Sequence, residues 1–206
     1  MKKSFLSFVV LAMTTLASAQ TLDRMQWFNE PDQWQINNNV LTMQVTPKSD
    51  YWRITHGFTI GDAPFLYTER GGSFEAKVKI TGNYTTMYDQ ACLMLYIDKE
   101  NYIKAGIEFV DGTPKLSVVV THGPSDWSVM APNRAVPYIW IRAMRVQNAV
   151  MVFYSFDDKE YVLMRDCYMP EETPIKVGLM GACPQGDGFE AKFENFSIKH
   201  IPSPRN

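Results

Sequence analysis

The sequence is poor in the residue types that most often build metal and nucleotide sites. It has three histidines and three cysteines among 206 residues, and neither type follows the spacing of a zinc site. It also has no Gly-x-Ser-x-Gly elbow, phosphate-binding glycine loop or dinucleotide fingerprint. We therefore predict no metal and no cofactor.

Basic tracts are missing as well, and no long apolar run follows residue 19. The formal net charge is −2, and no cluster of lysine and arginine resembles a nucleic-acid footprint. The apolar run 5–16 is too short to span a bilayer comfortably, and no second long apolar segment exists. We expect neither a nucleic-acid partner nor a membrane span, and the sequence leaves the oligomeric state open.

Residues 1–19 have the pattern of a cleaved signal peptide. Lys2 and Lys3 precede the apolar run 5–16, and Ala17-Ser18-Ala19 supplies small residues for cleavage after Ala19. Removing 19 of 206 residues would leave 187, and the loss of two lysines would change the formal charge from −2 to −4. The pattern predicts a periplasmic or secreted protein.

The cysteines Cys92, Cys167 and Cys183 allow at most one internal disulfide. Cys92 lies inside the apolar run 91–96, so we predict that it is a small core residue. A bridge between Cys167 and Cys183 is possible, but spacing along the chain does not show that they are close in space.

Alternation of apolar and polar residues with period two dominates the rest of the chain. It predicts strands over residues 41–45, 74–80, 91–96, 103–109, 116–121, 138–146, 149–156, 161–165, 175–180 and 189–198. No amphipathic helix of twelve or more residues is evident. The pattern predicts an all-β fold, a two-sheet antiparallel sandwich of jelly-roll type. One domain, 20–200, would precede a polar tail, 201–206.

Polar residues interrupt the apolar strands in three clusters between residues 88 and 128. The clusters are Tyr88-Asp89-Gln90-Ala91, Lys104-Ala105-Gly106-Ile107-Glu108, and Thr121 with Ser125-Asp126-Trp127-Ser128. Polar groups are costly to bury unless they are satisfied, so such strands indicate a ligand-binding sheet. We predict that one pocket is lined by Tyr88, Gln90, Lys104, Glu108, Thr121, Asp126 and Trp127.

Asp111-Gly112 predicts a tight hairpin turn, which fixes a register for the flanking strands. In that register Glu108 faces Lys115, Gly106 faces Ser117 and Lys104 faces Val119. An ordinary Glu108–Lys115 ion pair is therefore the alternative to a functional Glu108. A preceding hairpin that places Gln90 opposite Glu108 would bring amide and carboxylate to one face.

Two further positions carry a structural alternative beside the functional one. Gly106 inside a strand indicates close approach by a ligand or by another backbone. Asp89 either serves the site or stabilises a turn by accepting hydrogen bonds from nearby backbone amides.

Gly123-Pro124 predicts that residues 125–128 form a loop at one end of the sandwich. There Trp127 either stacks on a sugar, with Ser125 and Asp126 bonding its hydroxyls, or plugs the end of the core. Upstream, Arg53 either pairs with Asp89 or Asp126 or clamps an anionic ligand.

The same clusters, together with short strings elsewhere, resemble domain-of-unknown-function family 1349, whose members include regulation-of-enolase-like proteins. The further strings are Asn29-Glu30-Pro31, Asp50-Tyr51-Trp52-Arg53, Trp140-Ile141-Arg142 and Gly181-Ala182-Cys183-Pro184. The resemblance covers residues 27–198 and implies a concanavalin A-like lectin/glucanase sandwich, without a settled biochemical role. Cys92 departs from it, because the family usually has glycine there.

We therefore expect an exported sandwich that binds a carbohydrate or another small polar ligand on one sheet face. The candidate ligand-binding residues are Trp52, Arg53, Tyr88, Gln90, Lys104, Glu108, Thr121, Ser125, Asp126 and Trp127. One alternative is a glycan-active hydrolase or lyase, with Asp89, Glu108, Asp126 or a burial-tuned Lys104 as catalytic groups. Another is a structural or interaction protein whose polar residues are simply paired. Whether the protein is an enzyme stays open at this point.

Overall fold

The computed structural model describes residues 21–172 and 174–202, and their regular secondary structure is almost all β-strand. The predicted signal peptide, 1–19, and residues 203–206 of the predicted tail lie outside the described residues. No helix in the described part of the chain has the length and apolarity needed to cross a membrane.

Two seven-stranded antiparallel sheets form a sandwich, which confirms the predicted all-β, jelly-roll-type fold. The front sheet has the order β1-β6-β15-β8-β9-β10-β11. Its strands are β1 (Gln26–Phe28), β6 (Phe65–Arg70), β8 (Gln90–Asp98), β9 (Asn101–Val110), β10 (Thr113–His122), β11 (Ser125–Met130) and β15 (Ile175–Ala182).

The back sheet has the order β14-β13-β12-β7-β16-β3-β2. Its strands are β2 (Trp34–Asn37), β3 (Val40–Gln44), β7 (Phe74–Gly82), β12 (Ile139–Val146), β13 (Ala149–Ser155), β14 (Val162–Tyr168) and β16 (Glu190–His200). A separate hairpin pairs β4 (Tyr51–Arg53) with β5 (Thr59–Gly61), and short 3-10 helices span Leu22–Arg24 and Thr55–Gly57.

The main core lies between the sheets and is built from alternate residues of each strand. In the back-sheet strands β7 and β12, buried positions alternate with half-buried ones, as the period-two pattern predicts. Its inward side chains include Val78 and Ile141, which are both fully buried. One face of the back sheet therefore meets the core, and the other meets solvent.

The central strands of the front sheet are buried on both faces. Residues 90–96 of β8 and 102–108 of β9 are all buried. The second face carries its own apolar cluster, in which Tyr51 and Ala63 from the chain around the β4–β5 hairpin pack on Met94 and Tyr102. The outer face of the front sheet is thus covered by this hairpin segment, and Gln90, Lys104, Glu108 and Trp127 of the polar clusters lie on this face.

The predicted registers around Glu108 are confirmed. Glu108 lies opposite Lys115 on β10 and opposite Gln90 on β8, while Gly106 lies opposite Ser117. Asp111 and Gly112 both have positive φ, 52° and 75°, as a type I′ hairpin turn requires.

The predicted loop at residues 125–128 is wrong, because these residues form strand β11 and pair with β10. Gly123 takes a positive φ of 71°, and the backbone N–H of His122 donates to the Pro124 carbonyl at 3.1 Å. The Gly-Pro pair therefore closes a tight hairpin instead of starting a loop.

All three cysteines are free, so the possible Cys167–Cys183 bridge does not form. The Cys167 thiol donates to the Val150 carbonyl at 3.4 Å, and the Cys183 sulfur accepts from the Gly188 N–H at 3.3 Å. Cys92 is buried, as predicted, among the outer-face cluster of the front sheet.

Candidate functional site

A cavity of about 510 Å³ lies on the outer face of the front sheet, beside the β4–β5 hairpin. Its position follows from the alternation of side chains along a strand, in which successive residues point to opposite faces of the sheet. Ala105 and Ile107 of β9 point into the main core. Lys104 and Glu108 therefore point outward. The cavity is lined by Asp50, Trp52, His56, Phe58, Ile60, Tyr88, Gln90, Lys104, Glu108, Val119, Trp127, Pro184 and Gln185.

The hairpin supplies one aromatic wall of the cavity. Trp52 stacks on His56 and on Phe58, with ring centroids 6.0 and 6.3 Å apart. The indole N–H of Trp52 donates to the Thr55 carbonyl at 2.5 Å, which fixes the ring. Phe58 keeps 52% of its surface exposed, so part of this apolar wall remains open.

Tyr88 and Trp127 form a second aromatic wall on the sheet itself. Their rings meet edge to face, with centroids 6.2 Å apart and an interplanar angle of 82°. The Trp127 N–H donates to Glu108 Oε2 at 2.8 Å and to Ser117 Oγ at 3.1 Å. Tyr88 has a positive φ of 67° at the turn that enters β8, and its N–H donates to the Phe109 carbonyl at 2.7 Å.

Buried polar groups form the floor between these walls. Lys104 Nζ lies 2.7 Å from Asp50 Oδ1, and the two residues are 1% and 7% exposed. Gln90 Nε2 lies 3.5 Å from both Asp50 Oδ1 and Glu108 Oε1. An ammonium, an amide and two carboxylates are therefore gathered at one end of the cavity.

Glu108 is bound by neutral donors. Ser117 Oγ and Trp127 Nε1 donate to its Oε2 at 2.6 and 2.8 Å. Burial raises the pKa of the Glu108 carboxyl above its ordinary value, although Lys104 and these two hydrogen bonds oppose the shift. The alternative of a Glu108–Lys115 ion pair is wrong: no such pair occurs among the described salt bridges, because the carboxylate turns toward Ser117.

Lys104 is held as a cation. Burial alone would lower its pKa, but the nearby carboxylates of Asp50 and Glu108 outweigh burial and raise the pKa above its ordinary value. The hypothesis of a burial-tuned Lys104 that acts as a neutral base is therefore not supported by its surroundings.

Thr121 and Ser125, both predicted ligand-binding residues, hold the hairpin on the sheet and do not line the cavity. Their hydroxyls lie 2.8 Å apart. Ser125 Oγ accepts from the Arg53 N–H at 2.9 Å, and the Ser125 carbonyl accepts from Thr55 Oγ1 at 2.6 Å. These contacts anchor β4 and the hairpin turn.

Asp126 and Arg53 also point away from the cavity. Because residues 125–128 form a strand, Asp126 takes the opposite face from Trp127 and pairs with Arg165 of the back sheet at 3.2 Å. Arg53 pairs with Glu100 at 2.6 Å, not with Asp89 or Asp126. The prediction that Asp126 and Thr121 share a pocket with Trp127 is wrong.

Asp89 stabilises a turn, which was the structural alternative to a role in the site. The side chain is fully buried, and its Oδ2 accepts from the backbone N–H groups of Thr85 and Thr86 at 2.9 and 2.8 Å. This carboxylate stabilises the turn before β8. Asp89 is therefore not placed to act as a catalytic acid in the cavity.

Gly106 marks close approach by another backbone. A β-carbon built on Gly106 would lie 2.0 Å from the Ala91 carbonyl oxygen and 2.8 Å from the Cα of Cys92. Strand β8 thus occupies the space that any larger residue would need, and Gly106 serves the packing of β8 on β9.

Several cavity residues were not predicted from the sequence, chiefly Asp50, His56, Phe58 and Gln185. Asp50 stands two residues before Trp52 in a string that already carried the family resemblance, and that proximity was the available signal. Within residues 21–172 and 174–202, no group of three or more His, Cys, Asp or Glu is placed to hold a metal ion.

The chain belongs to the family described as "Protein of unknown function (DUF1349)", whose profile it matches over residues 27–201. It is 34% identical over 178 residues to Regulation of enolase protein 1 of Saccharomyces cerevisiae, covering 86% of this chain and 90% of that protein. A crystal structure of a functionally unknown S. cerevisiae protein superposes with a TM-score of 0.85 at 32% identity, covering 91% of this chain and 100% of that one.

A more distant likeness concerns the fold alone. The structure of a xylan β-1,4-xylosidase from Bacillus halodurans C-125 superposes with a TM-score of 0.70 at 13% identity. The match covers 97% of this chain but 41% of the xylosidase. The sandwich therefore occurs as one part of a larger glycoside hydrolase chain.

Proposed function

We propose that this protein binds a carbohydrate, or a similar polyhydroxylated small molecule, in the cavity beside the β4–β5 hairpin. The observation that carries the proposal is the combination of two aromatic walls with a floor of buried hydrogen-bonding groups. The related fold of a xylosidase adds support from analogy, which by itself does not assign a function.

The chemistry of the walls and floor suits a sugar ring. A pyranose has apolar C–H faces that pack on aromatic rings such as Phe58 and Trp127. Its hydroxyls need donors and acceptors, which Gln90, Asp50 and Glu108 offer. The cavity volume of about 510 Å³ lies in the range of small-molecule sites, roughly 300–1,000 Å³.

A glycan array with the wild type and with Tyr88→Ala tests this proposal. Tyr88→Ala removes part of the sheet wall and should weaken binding to every sugar that the wild type retains. Tyr168→Ala is the matched control, because Tyr168 lies on β14 and is 57% exposed. Absence of binding across a broad panel would refute the proposal.

A second candidate function, a glycan-active enzyme, is favoured by one pair of carboxylates. Asp50 Oδ1 and Glu108 Oε1 each lie 3.5 Å from Gln90 Nε2, so they are separated by no more than twice that distance, about 7 Å. Glycosidases use carboxyl pairs about 5–5.5 Å apart for retention and about 6.5–9.5 Å apart for inversion. Asp50 thereby replaces Asp89 and Asp126 as the partner that Glu108 would need.

Mass spectrometry of products separates the two functions. Incubation of each bound glycan with the wild type, Asp50→Asn and Glu108→Gln would reveal turnover. New products that appear with the wild type and are absent with both variants would show that the protein is a glycan-active enzyme. Intact glycans in all three samples would support a protein that binds carbohydrate without turnover.

We also propose that the protein acts after export, in the periplasm or outside the cell. The basic and apolar residues 2–16 and the small residues 17–19 support this proposal. Intact mass measurement of the protein from its native cells tests it. A chain beginning at Gln20 is expected, and a chain that retains residues 1–19 would refute export by cleavage.

A further inference from the structure

We infer that the ligand of this cavity carries a positively charged amino group, as amino sugars do, and that Glu108 binds that group. The inference rests on the proposed carbohydrate-binding function and names the class of sugar.

The charges of the cavity floor do not balance. Asp50 and Glu108 contribute two carboxylates and Lys104 one ammonium. Lys104 Nζ is engaged by Asp50 at 2.7 Å, whereas Glu108 receives hydrogen bonds from the neutral groups of Ser117, Trp127 and Gln90 alone within the described chain. Glu108 is 5% exposed, so solvent screens its charge poorly.

The unsatisfied part of Glu108 is its Oε1. Oε2 takes both short hydrogen bonds, at 2.6 and 2.8 Å. Oε1 has Gln90 Nε2 at 3.5 Å, the outer limit of a hydrogen bond, although a carboxylate oxygen accepts about two. An ammonium group in the cavity would supply the missing strong donor in a charge-assisted bond.

The aromatic walls favour the same kind of ligand. The faces of tryptophan and tyrosine rings attract cations, and Trp52, Tyr88 and Trp127 all line this cavity. The two stronger bases offer little to a sulfated or carboxylated sugar, because Arg53 is paired with Glu100 and Lys104 with Asp50. His56, on the hairpin wall, is the other basic side chain of the lining.

Protonation of Glu108 gives the inference a pH signature. The titratable groups that share this site are Lys104 of β9, Cys92 of β8, Asp50 before β4, Tyr88 at the turn and His56 of the hairpin. Burial holds the pKa of Glu108 above its ordinary value, so a cationic ligand must displace a proton at low pH. Affinity for an amino sugar should rise as the pH rises through that pKa, while affinity for a neutral sugar should not.

Calorimetric titration near neutral pH tests the inference with glucosamine oligosaccharides, their N-acetylated counterparts, and neutral and uronic-acid oligosaccharides. We expect the free-amine sugar to bind about tenfold tighter than its N-acetylated counterpart, as a hydrogen bond to a charged group implies. In Glu108→Gln that preference should disappear. Glu100→Gln, which removes a carboxylate outside the cavity, should keep it.

The outcomes separate the two levels of the proposal. Equal affinity for free-amine and N-acetylated sugars would overturn the inference and leave the carbohydrate-binding function standing, as would a preference that survives Glu108→Gln. Absence of binding to every sugar would overturn both. The wild-type comparison and its pH dependence decide the question even if Glu108→Gln fails to fold.

Discussion

The buried Asp50–Lys104 pair is the residue-scale feature on which the cavity floor depends. Lys104 Nζ lies 2.7 Å from Asp50 Oδ1, with 1% and 10% of the two side chains exposed. A buried pair gains little over well-packed apolar residues, but loss of one partner leaves an uncompensated charge in a region of low dielectric. The pair therefore makes the floor sensitive to single substitutions.

Lys104→Met should destabilise the protein by about 3–5 kcal/mol, because Asp50 would be left without its cation. Urea denaturation measures the change. In the double variant Asp50→Asn/Lys104→Met part of the loss should be recovered. Lys48→Met, which breaks an exposed pair with Asp187, should leave the unfolding transition almost unchanged. Equal effects of Lys104→Met and Lys48→Met would contradict this account.

Glu108 should make stability depend on pH in a defined direction. Burial raises the pKa of its carboxyl in the folded state, so the folded chain holds this proton more tightly than the unfolded chain does. The contribution to stability is complete below the unfolded pKa and is lost as the pH rises through the folded pKa. Above that folded pKa the ionised Glu108 is therefore less favourable than a neutral isostere.

Glu108→Gln should consequently gain stability relative to the wild type as the pH rises from acid toward neutrality. Thermal melts of both proteins across this range measure the difference. Lys115→Gln serves as control, since Lys115 faces Glu108 in register but forms no ion pair with it, and its difference from wild type should not vary. If the wild type became more stable relative to Glu108→Gln as the pH rises, the argument that burial raises the pKa of Glu108 would be contradicted.

For individual residues, the sequence showed which polar side chains interrupt the core strands, but it predicted their roles less well. Glu108 and Gln90 could be placed opposite each other because a two-residue turn fixes register. Asp126 was misplaced because residues 125–128 were predicted to form a loop. In the strand that they form, successive side chains point to opposite faces, which separates Asp126 from Trp127. Asp50 was missed because its partner, Lys104, lies 54 residues away.

The β4–β5 hairpin is the element that turns a sheet face into a cavity. Its turn begins at Ile54, with φ 65° and ψ −56°, a region that is rare and strained for a β-branched residue. Ile54 is 49% exposed, so core packing does not explain this conformation. The backbone N–H groups of Arg53 and Ile54 donate hydrogen bonds to Ser125 Oγ and Thr59 Oγ1, which accompany this conformation.

Ile54→Gly should raise the free energy of unfolding by about 1 kcal/mol. Relief of about 1–3 kcal/mol of backbone strain exceeds the entropic cost of glycine, about 0.5–1 kcal/mol. Ile60→Gly, on β5 of the same hairpin, is the control and should destabilise, because glycine inside a strand costs chain entropy and loses side-chain packing. Similar losses in both variants would show that Ile54 is not strained.

Elements with clear alternation or a diagnostic turn could be predicted, and the shortest could not. Strands β7, β9, β10 and β12 carry alternation over several residues and were predicted close to their observed bounds. Strands β4 and β5 have three residues each, too few for periodicity to distinguish a strand from a loop.

The whole molecule is a sandwich in which one sheet is covered twice, by the other sheet and by the hairpin segment. The fold class could be predicted from the alternation of apolar and polar residues, because that alternation is a local property of the sequence. The second covering depends on where residues 47–64 pack in three dimensions, and no local pattern encodes that. The polar clusters could therefore be recognised in the sequence, but the cavity that they line could be recognised only in the structure.

The three thiols are a property of the whole molecule that solution chemistry can check. Burial raises the pKa of Cys167 and of Cys183 to about 11 and raises that of Cys92 further. The native protein should react slowly with a thiol reagent and should release three reactive thiols on unfolding. Reductant should leave its melting temperature unchanged. A single reactive thiol in the unfolded, unreduced chain would reveal a disulfide.

We propose that the ligand binds in the cavity beside the β4–β5 hairpin. Calorimetric titration of the best-bound sugar into wild type, Trp127→Ala and Trp34→Ala tests it most directly. Trp127 lines the cavity, while Trp34 lies on a shallow groove of the back sheet and is 41% exposed.

We predict that Trp127→Ala weakens binding about tenfold or more, since loss of a stacked ring and of the hydrogen bond that orients Glu108 costs over about 1.4 kcal/mol. Trp34→Ala should bind like the wild type. Unchanged affinity in Trp127→Ala, or a loss confined to Trp34→Ala, would contradict the assignment of the site.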